Sequence, residues 1–329
     1  MHRAPSSVTV AVPARLHLGF LDLHGGLGRR FGSIGLAIDA LQTRLTIVRS
    51  KDLDVVGADR ERTRRYAAQL QRLLGYTAGH HIIVHEAIPS HAGLGSGTQL
   101  ALGLASAMRK LHKLPLDVRG DATLLGRGAR SGVGIGLFED GGFVVDGGRG
   151  ARAQAAPIVS RMNFPQAWRA LLILDPNQAG VHGDAEVAAF ANLPPFAEPD
   201  AEEICRRVLM QILPALAEED FEPFTEGIER VQALLGSYFA PLQGGRAFTS
   251  PAVEATLALL RREGGRGIGQ SSWGPTGFVF APSQREAERL LSAAREEAAR
   301  RGLDIRICGG RNHGAEINVE FAANASARL

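Results

Sequence analysis

Alternating apolar and polar positions mark short strands in the first half of the chain at Ser7–Val12, Thr43–Val48, His81–His85 and Gly142–Asp146. Each is rich in β-branched residues and bounded by Gly, Pro or charged residues, the signature of a half-buried strand. Helical spacing replaces alternation at Arg60–Leu74, whose outer face is rich in arginine, and at Thr98–Leu111, whose Ala and Leu content predicts a largely buried helix. From about Pro157 the texture changes: an apolar strand at Ala170–Asp175 leads through a Gly-, Pro- and Asn-containing loop to helices at Ala201–Ala217, Phe224–Leu235 and Pro251–Arg262. A strand at Thr276–Phe280, a helix at Ser283–Arg301 and strands at Asp304–Cys308 and Ala315–Glu320 complete the order. Strands thus flank long helices without the regular alternation of a doubly wound sheet. The pattern predicts an α+β fold in two domains, residues 1–157 and 158–329.

Composition narrows the function classes. The chain has 329 residues, 45% of them hydrophobic, which supplies ample core for this plan. Its 40 glycines carry no Gly-X-Y period, which excludes a collagen-like fibre and points to functional glycine loops. With 37 basic against 34 acidic residues, bulk charge gives no support to a nucleic-acid partner. Only Lys51, Lys110 and Lys113 among the bases are lysines, a bias that bears on anion binding at individual sites alone. Cys205 and Cys308 lie far apart without CxxC spacing, so both are expected as buried small hydrophobes rather than disulfide or zinc ligands. No stretch approaches the roughly 18 apolar residues of a membrane span, and the first residues lack an apolar leader core. A cytoplasmic protein without membrane or nucleic-acid partners, acting on small molecules, is the expectation.

The densest chemical signal is Pro89–Gln99, PSHAGLGSGTQ, between a strand and the buried helix. Glycines let the backbone turn sharply and approach a ligand, so loop N–H groups and a helix N-terminus hold phosphate oxygens without a lysine. Gly93, Leu94, Gly95, Ser96, Gly97 and Thr98 are therefore candidate phosphate contacts. No Gly-Lys-Ser/Thr follows, so this is not a Walker loop. Gly95→Val is expected to block phosphate approach while leaving the fold intact.

This run, Pro-x-x-x-Gly-Leu-Gly-Ser after a strand, resembles the phosphate loop of the GHMP kinase superfamily. Two more blocks agree: Val12–Gly19 (VPARLHLG) is similar to the first motif of that superfamily, and Gly269–Phe278 (GQSSWGPTGF) stands where its third falls. The resemblance implies an N-terminal sheet-and-helix domain, a C-terminal ferredoxin-like α/β sandwich and an active site in the cleft between them. Kinases of the superfamily usually carry Lys in the first motif and, in several subfamilies, a catalytic Asp in a Ser-Gly-x-Asp stretch. The matching positions here are Arg15 and Gly134, and neither Asp140 nor Asp146 nearby obviously substitutes.

In detail the chain resembles an atypical branch, the β-ribofuranosylaminobenzene 5′-phosphate synthases of methanopterin biosynthesis. Their blocks are similar to Arg15–Gly25, Gly93–Gln99, Arg127–Gly134, Gly141–Gly148 and Arg311–Ala315. That resemblance implies condensation of 5-phosphoribosyl 1-pyrophosphate with 4-aminobenzoate or a close benzoate, release of CO2 and pyrophosphate, use of Mg2+, and a homodimer. A small-molecule kinase using ATP and a catalytically dead sensor of a phosphorylated metabolite remain the alternatives.

Displacing pyrophosphate builds positive charge on the ribose C1 and negative charge on the departing phosphates, so such a site needs a phosphate cradle, cations and a screened cavity. Arg15, Arg127, Arg130 and Arg311 are candidate guanidinium clamps, with Gln99 and Ser131 beside them as substrate contacts. His17, in an apolar frame, is a candidate proton donor to the leaving group or the ring. Asp22, just before Gly25-Gly26, is a candidate ligand of Mg2+ or of a ribose hydroxyl, with turn formation as its other role. Arg15, His17, Asp22 and Arg130 form the candidate catalytic set. Gln270, Ser271, Ser272 and Trp273 combine polar groups with an aromatic, suited to gripping a flat ring. Glu186 and His182, on a strand-to-helix loop, complete the candidates.

Overall fold

Two long antiparallel strands, β1 (Pro5–Asp22) and β2 (Arg29–Ser50), form the spine of the N-terminal half in the computed structural model. The structure describes residues 4–151, 155–180, 189 and 193–321, so His182 and Glu186 lie outside the described residues. Both strands run well past the segments that alternation marks. From Ala14 to Gly19 nearly every residue of β1 is buried, because both faces of the strand are covered, and alternation vanishes where there is no solvent face. Register shifts at Pro13/Ala14 and His17/Gly19 bend the pair. As a result β2 pairs with β4 (Gly79–Glu86) over one stretch and with β5 (Phe143–Asp146) over another.

The first sheet has the order β12-β1-β2-β4-β3, where β3 is Asp54–Gly57 and β12 is Glu316–Phe321. The short β6 (Arg149–Gly150) pairs with β2, and β7 (Ile158–Met162) pairs with β5. Helices α1 (Arg60–Leu74) and α2 (Ser96–Leu111) cover the sheet, joined by α3 (Val118–Leu124) and α4 (Val133–Glu139). The expected helix bounds hold for α1 and nearly so for α2, whose apolar face packs on Val8, Val10 and Val12.

The second sheet, order β11-β8-β10-β9, consists of β8 (Arg169–Leu174), β9 (Arg266–Gln270), β10 (Gly277–Ala281) and β11 (Asp304–Cys308). After β8 the described helices are α5 (Glu198–Arg207), α6 (Leu213–Glu218), α7 (Phe221–Phe239), α8 (Pro251–Arg262) and α9 (Gln284–Arg301). The helix expected over Ala201–Ala217 is divided by a π-helical turn at Val208–Ile212. Pro214 has no N–H to bond the Met210 carbonyl, and the ladder widens so that Leu213 N–H reaches Val208 O. The β-α-β-β-α-β sequence and antiparallel order are those of the expected ferredoxin-like sandwich. One face of this sheet (Leu171, Ile173, Val279, Ala281) packs on α8 and α9. The other (Leu172, Leu174, Phe278, Phe280) meets α7 and the first sheet in one continuous core with Leu16, Leu36 and Phe143.

Two strands from beyond residue 157 belong to the first sheet: β7 beside β5, and β12 beside β1. Cys308 is buried as expected, whereas Cys205 is exposed on α5, where the helix's polar face turns outward. Among the described residues no helix is long and apolar enough to cross a membrane.

Candidate active site

The glycine loop joins β4 to α2, and its carbonyls accept hydrogen bonds from β1 and from the third motif. Arg15 on β1 donates its backbone N–H to Leu94 O at 3.1 Å, and its Nη1 reaches Gly93 O at 3.3 Å. Ser271 Oγ donates to Gly93 O at 2.8 Å while accepting the His17 backbone N–H at 3.1 Å. Ser272, at φ 57°, donates its N–H to His17 O at 3.0 Å. The first motif, the phosphate loop and the third motif therefore touch main chain to main chain. A Cβ on Gly93 would stand 2.2 Å from Ser271 O, and one on Gly274 would stand 2.5 Å from Gly93 Cα. Gly95 has φ 80°, and a Cβ there would meet Arg15 Cγ at 2.7 Å. Gly95→Val thus displaces the Arg15 side chain as well as blocking any phosphate.

In α2 the helical ladder begins with Gln99 N–H to Gly95 O, so the N–H groups of Ser96, Gly97 and Thr98 precede it. All three residues line a cleft of about 610 Å³. Its walls bring together Arg15, Arg62, Arg65, Arg127 and Arg130, and among the described lining residues there is no Asp or Glu. Arg62 Nη1 donates to Ser96 Oγ at 3.2 Å. Arg127 bonds the Tyr66 hydroxyl, with its guanidinium 5.2 Å from that ring's centre. Arg62, Arg65 and Tyr66 were not among the sequence candidates. Their spacing of three and four places them on one face of α1, a signal already present in its arginine-rich stripe.

A smaller cavity of about 40 Å³ adjoins the cleft and shares Phe20, Ser272 and Trp273 with it. His17, Gln232, Leu235, Phe239, Gln243 and Gln270 complete much of its lining. The His17 ring packs edge-on to Phe20 with centres 4.7 Å apart, and Phe239 lies 4.9 Å from Trp273. Burial, reinforced by the Arg15 charge, lowers the His17 pKa from 6.5 to about 3. The imidazole is therefore neutral at physiological pH and carries no surplus proton to deliver, contrary to the donor role expected from sequence. Gln232 on α7 donates to Leu18 O at 2.7 Å and accepts Gln270 N–H at 2.8 Å, stitching β1 to β9.

Other candidates lie elsewhere or are engaged otherwise. Asp22 is absent from the cleft lining, and its carboxylate accepts Gly25 N–H at 2.7 Å, the turn-forming role. Gln99 is fully buried and donates to Gly134 O at 2.9 Å, fastening α4 to α2 rather than facing ligand. Arg311 is also absent from the lining; its Nη2 bonds Gly314 O and Glu316, and its backbone bonds Ala37 O. The Gln270 amide bonds Thr249 N–H, Gln243 and Ser272 O, so it shapes the cavity wall. Ser131 lines the cleft, while Asp146 behind it is buried and accepts Ser33 Oγ, Gly132 N–H and Gly148 N–H. Burial raises the Asp146 pKa despite those bonds. Gly134, where several kinases carry the base, packs its Cα side toward Thr98 Cγ2. No group of three His, Cys, Asp or Glu among the described residues is placed to hold a metal. A protein-held Mg2+, which takes carboxylate oxygens, does not fit this donor set.

Fold, loop and cleft together define a class. Residues 61–137 match the GHMP kinases N-terminal domain and residues 212–300 the GHMP kinases C-terminal domain. The homoserine kinase of Cytophaga hutchinsonii shares the fold with a TM-score of 0.65 at 16% identity, over 95% of this chain and 98% of that one. Mevalonate diphosphate decarboxylase of Staphylococcus aureus does so with a TM-score of 0.66 at 14% identity, over 95% and 98%. The chain belongs to the GHMP kinase family. Within it, the chain is 33% identical over 325 residues to the β-ribofuranosylphenol 5′-phosphate synthase of Archaeoglobus fulgidus, covering 93% of this chain and 98% of the relative. The protein of the same name from Methanothermobacter thermautotrophicus is 30% identical, covering 93% and 97%.

Proposed function

We propose that this chain is a ribosyltransferase that joins 5-phosphoribosyl 1-pyrophosphate to a benzoate bearing a para hydrogen-bond donor, with release of pyrophosphate and CO2. That donor is a hydroxyl in the phenol for which the relatives are named and an amine in the expectation from sequence. The observation that carries the proposal is the cleft wall, five arginines and no described carboxylate facing a glycine loop and a helix N-terminus. Such a wall suits a substrate with several phosphates and a carboxylate. A kinase acting on an alcohol is favoured by a carboxylate base, which the described lining lacks.

In the proposed reaction the ring carbon bearing the carboxylate attacks the ribose C1. A C–C bond forms there, and the C1–O bond breaks with its electron pair leaving on pyrophosphate. The arginines and the N–H groups at the start of α2 stabilise that charge. The bond to the carboxylate then breaks, its electron pair restores the aromatic ring, and CO2 departs. The balance needs no net proton, which accords with a neutral His17. Magnesium is proposed to enter as part of the substrate, chelated by its phosphates.

The test is incubation with phosphoribosyl pyrophosphate and carboxyl-labelled 4-hydroxybenzoate or 4-aminobenzoate, following labelled CO2 and pyrophosphate, beside an ATP-consumption assay on candidate alcohols. Equal release of both products from either acid is the expected result. ATP turnover without CO2 would replace the proposal with a kinase.

A further inference from the structure

We infer that the small cavity beside the arginine cleft is the acceptor's specificity pocket, in which His17 Nε2 accepts a hydrogen bond from the para substituent of the aromatic ring. This subsite presupposes the ribosyl transfer proposed above and assigns its second substrate. Its about 40 Å³ has room for a few heavy atoms, the far end of a substituted ring rather than a nucleoside. Phe20, Phe239 and Trp273 supply flat apolar surface, and the opening to the cleft runs past Phe20, Ser272 and Trp273.

Among the buried hydrogen-bond acceptors of the lining, His17 Nε2 stands apart. The side-chain amides of Gln232, Gln243 and Gln270 are all engaged with neighbouring protein groups. His17 Nε2 is buried and has no hydrogen-bond partner among the described residues, and the residue as a whole is only 3% exposed. The neutral ring carries one lone-pair nitrogen, and the proposed contact takes it to be Nε2. A buried acceptor without a donor is costly, and a ligand O–H or N–H reaching it removes that cost.

The chemistry gives this contact a catalytic consequence. Attack by the carboxylate-bearing carbon leaves the ring with positive charge, which the para oxygen or nitrogen shares. Its hydrogen becomes more acidic, so the bond to Nε2 strengthens between ground state and transition state, and this is what raises turnover. An ether or methyl group at that position offers no hydrogen. The pocket therefore selects donors, and it accepts hydroxyl and amine alike.

The experiment compares 4-hydroxy-, 4-amino-, 4-methoxy- and 4-methylbenzoate by calorimetric titration against the wild-type chain, H17L and H17Q, with phosphoribosyl pyrophosphate titrated separately. Wild type is expected to bind the hydroxy and amino acids at least tenfold more tightly than the methoxy and methyl acids. H17L should bring all four within about twofold, while H17Q, whose amide oxygen accepts, should keep a preference. In turnover, H17L should lower kcat tenfold or more with the phosphoribosyl pyrophosphate KM unchanged. Equal wild-type affinity for hydroxy and methoxy acids, or a preference that survives H17L, overturns the pocket. Donor preference without phosphoribosyl pyrophosphate binding would leave the pocket standing and remove the ribosyl-transfer proposal; phosphoribosyl pyrophosphate binding without donor preference would do the reverse.

Discussion

Arg127 shows how single residues set the cleft's behaviour. Its guanidinium is oriented by Tyr66 beside the start of α2, where a Cβ added to Gly97 would lie 3.6 Å from both groups. Arg127→Ala is expected to weaken phosphoribosyl pyrophosphate binding about 10- to 100-fold, the worth of a charge-assisted hydrogen bond, with little change in thermal midpoint. Titration calorimetry beside a melting curve checks both. A different residue contributes to acid stability alongside His17. His80 is buried against His112, with Nε2 atoms 2.8 Å apart, and burial, then the His112 and Arg49 charges, lower its pKa from 6.5 to about 4. The unfolded chain takes up this proton near pH 6.5 and the folded chain only near 4, so stability is full above 6.5 and falls as pH drops through that window. Urea midpoints between pH 7 and 4 should show the fall, and His80→Gln should make it shallower, leaving the share contributed by buried His17. Residues whose role is local were legible in the sequence: Gly93, Gly95 and Arg15 stand in dense glycine or motif runs. Gln99 and Gln270 stand in similar runs, yet partners distant along the chain engage their side chains, and spacing carries no trace of such partners.

At the scale of elements, the contact between phosphate loop and third motif is a backbone-on-backbone fit that only glycines allow. Gly274→Ala places a Cβ within 2.5 Å of Gly93 main-chain atoms and is expected to cost about 1–3 kcal/mol together with most turnover. A Cβ at Gly97 would meet nothing nearer than the Arg127 guanidinium and the Tyr66 hydroxyl, at 3.6 Å, so Gly97→Ala should fold normally and lose affinity only where a phosphate approaches. Chemical denaturation and calorimetry on the pair separate the two effects. Helices with a solvent face, such as α1 and α8, were read to their ends because one polar stripe survives in the pattern. The second half of β1 was not, since covering both faces erased the alternation. α4 escaped for another reason: seven residues with three buried glycines or valines give too short a period to read, and its place is fixed by Gln99 and Asp146.

For the whole molecule, the cleft gathers its cations from β1, α1 and the segment before α4, so its charge is a product of assembly rather than of any one motif. If magnesium enters only with the substrate, as proposed, the thermal midpoint should survive dialysis against EDTA; a drop of several degrees would reveal a structural ion. A second sheet with its helices was legible in the change of texture along the chain, but the return of β7 and of the final strand to the first sheet was not, because both are short and only partly apolar. The return of β12 ties Pro5 to Phe321 and leaves β1 flanked on both sides. During synthesis one side of β1 stays open until residues 316–321 have emerged from the ribosome, a long interval for an unpaired edge. A chain stopped after Gly314 is expected to elute as larger species than the full chain on size-exclusion chromatography, with added β12 peptide restoring the elution of the full chain. The nascent protein thus depends, for most of its time on the ribosome, on whatever shields a strand whose neighbour has yet to be made.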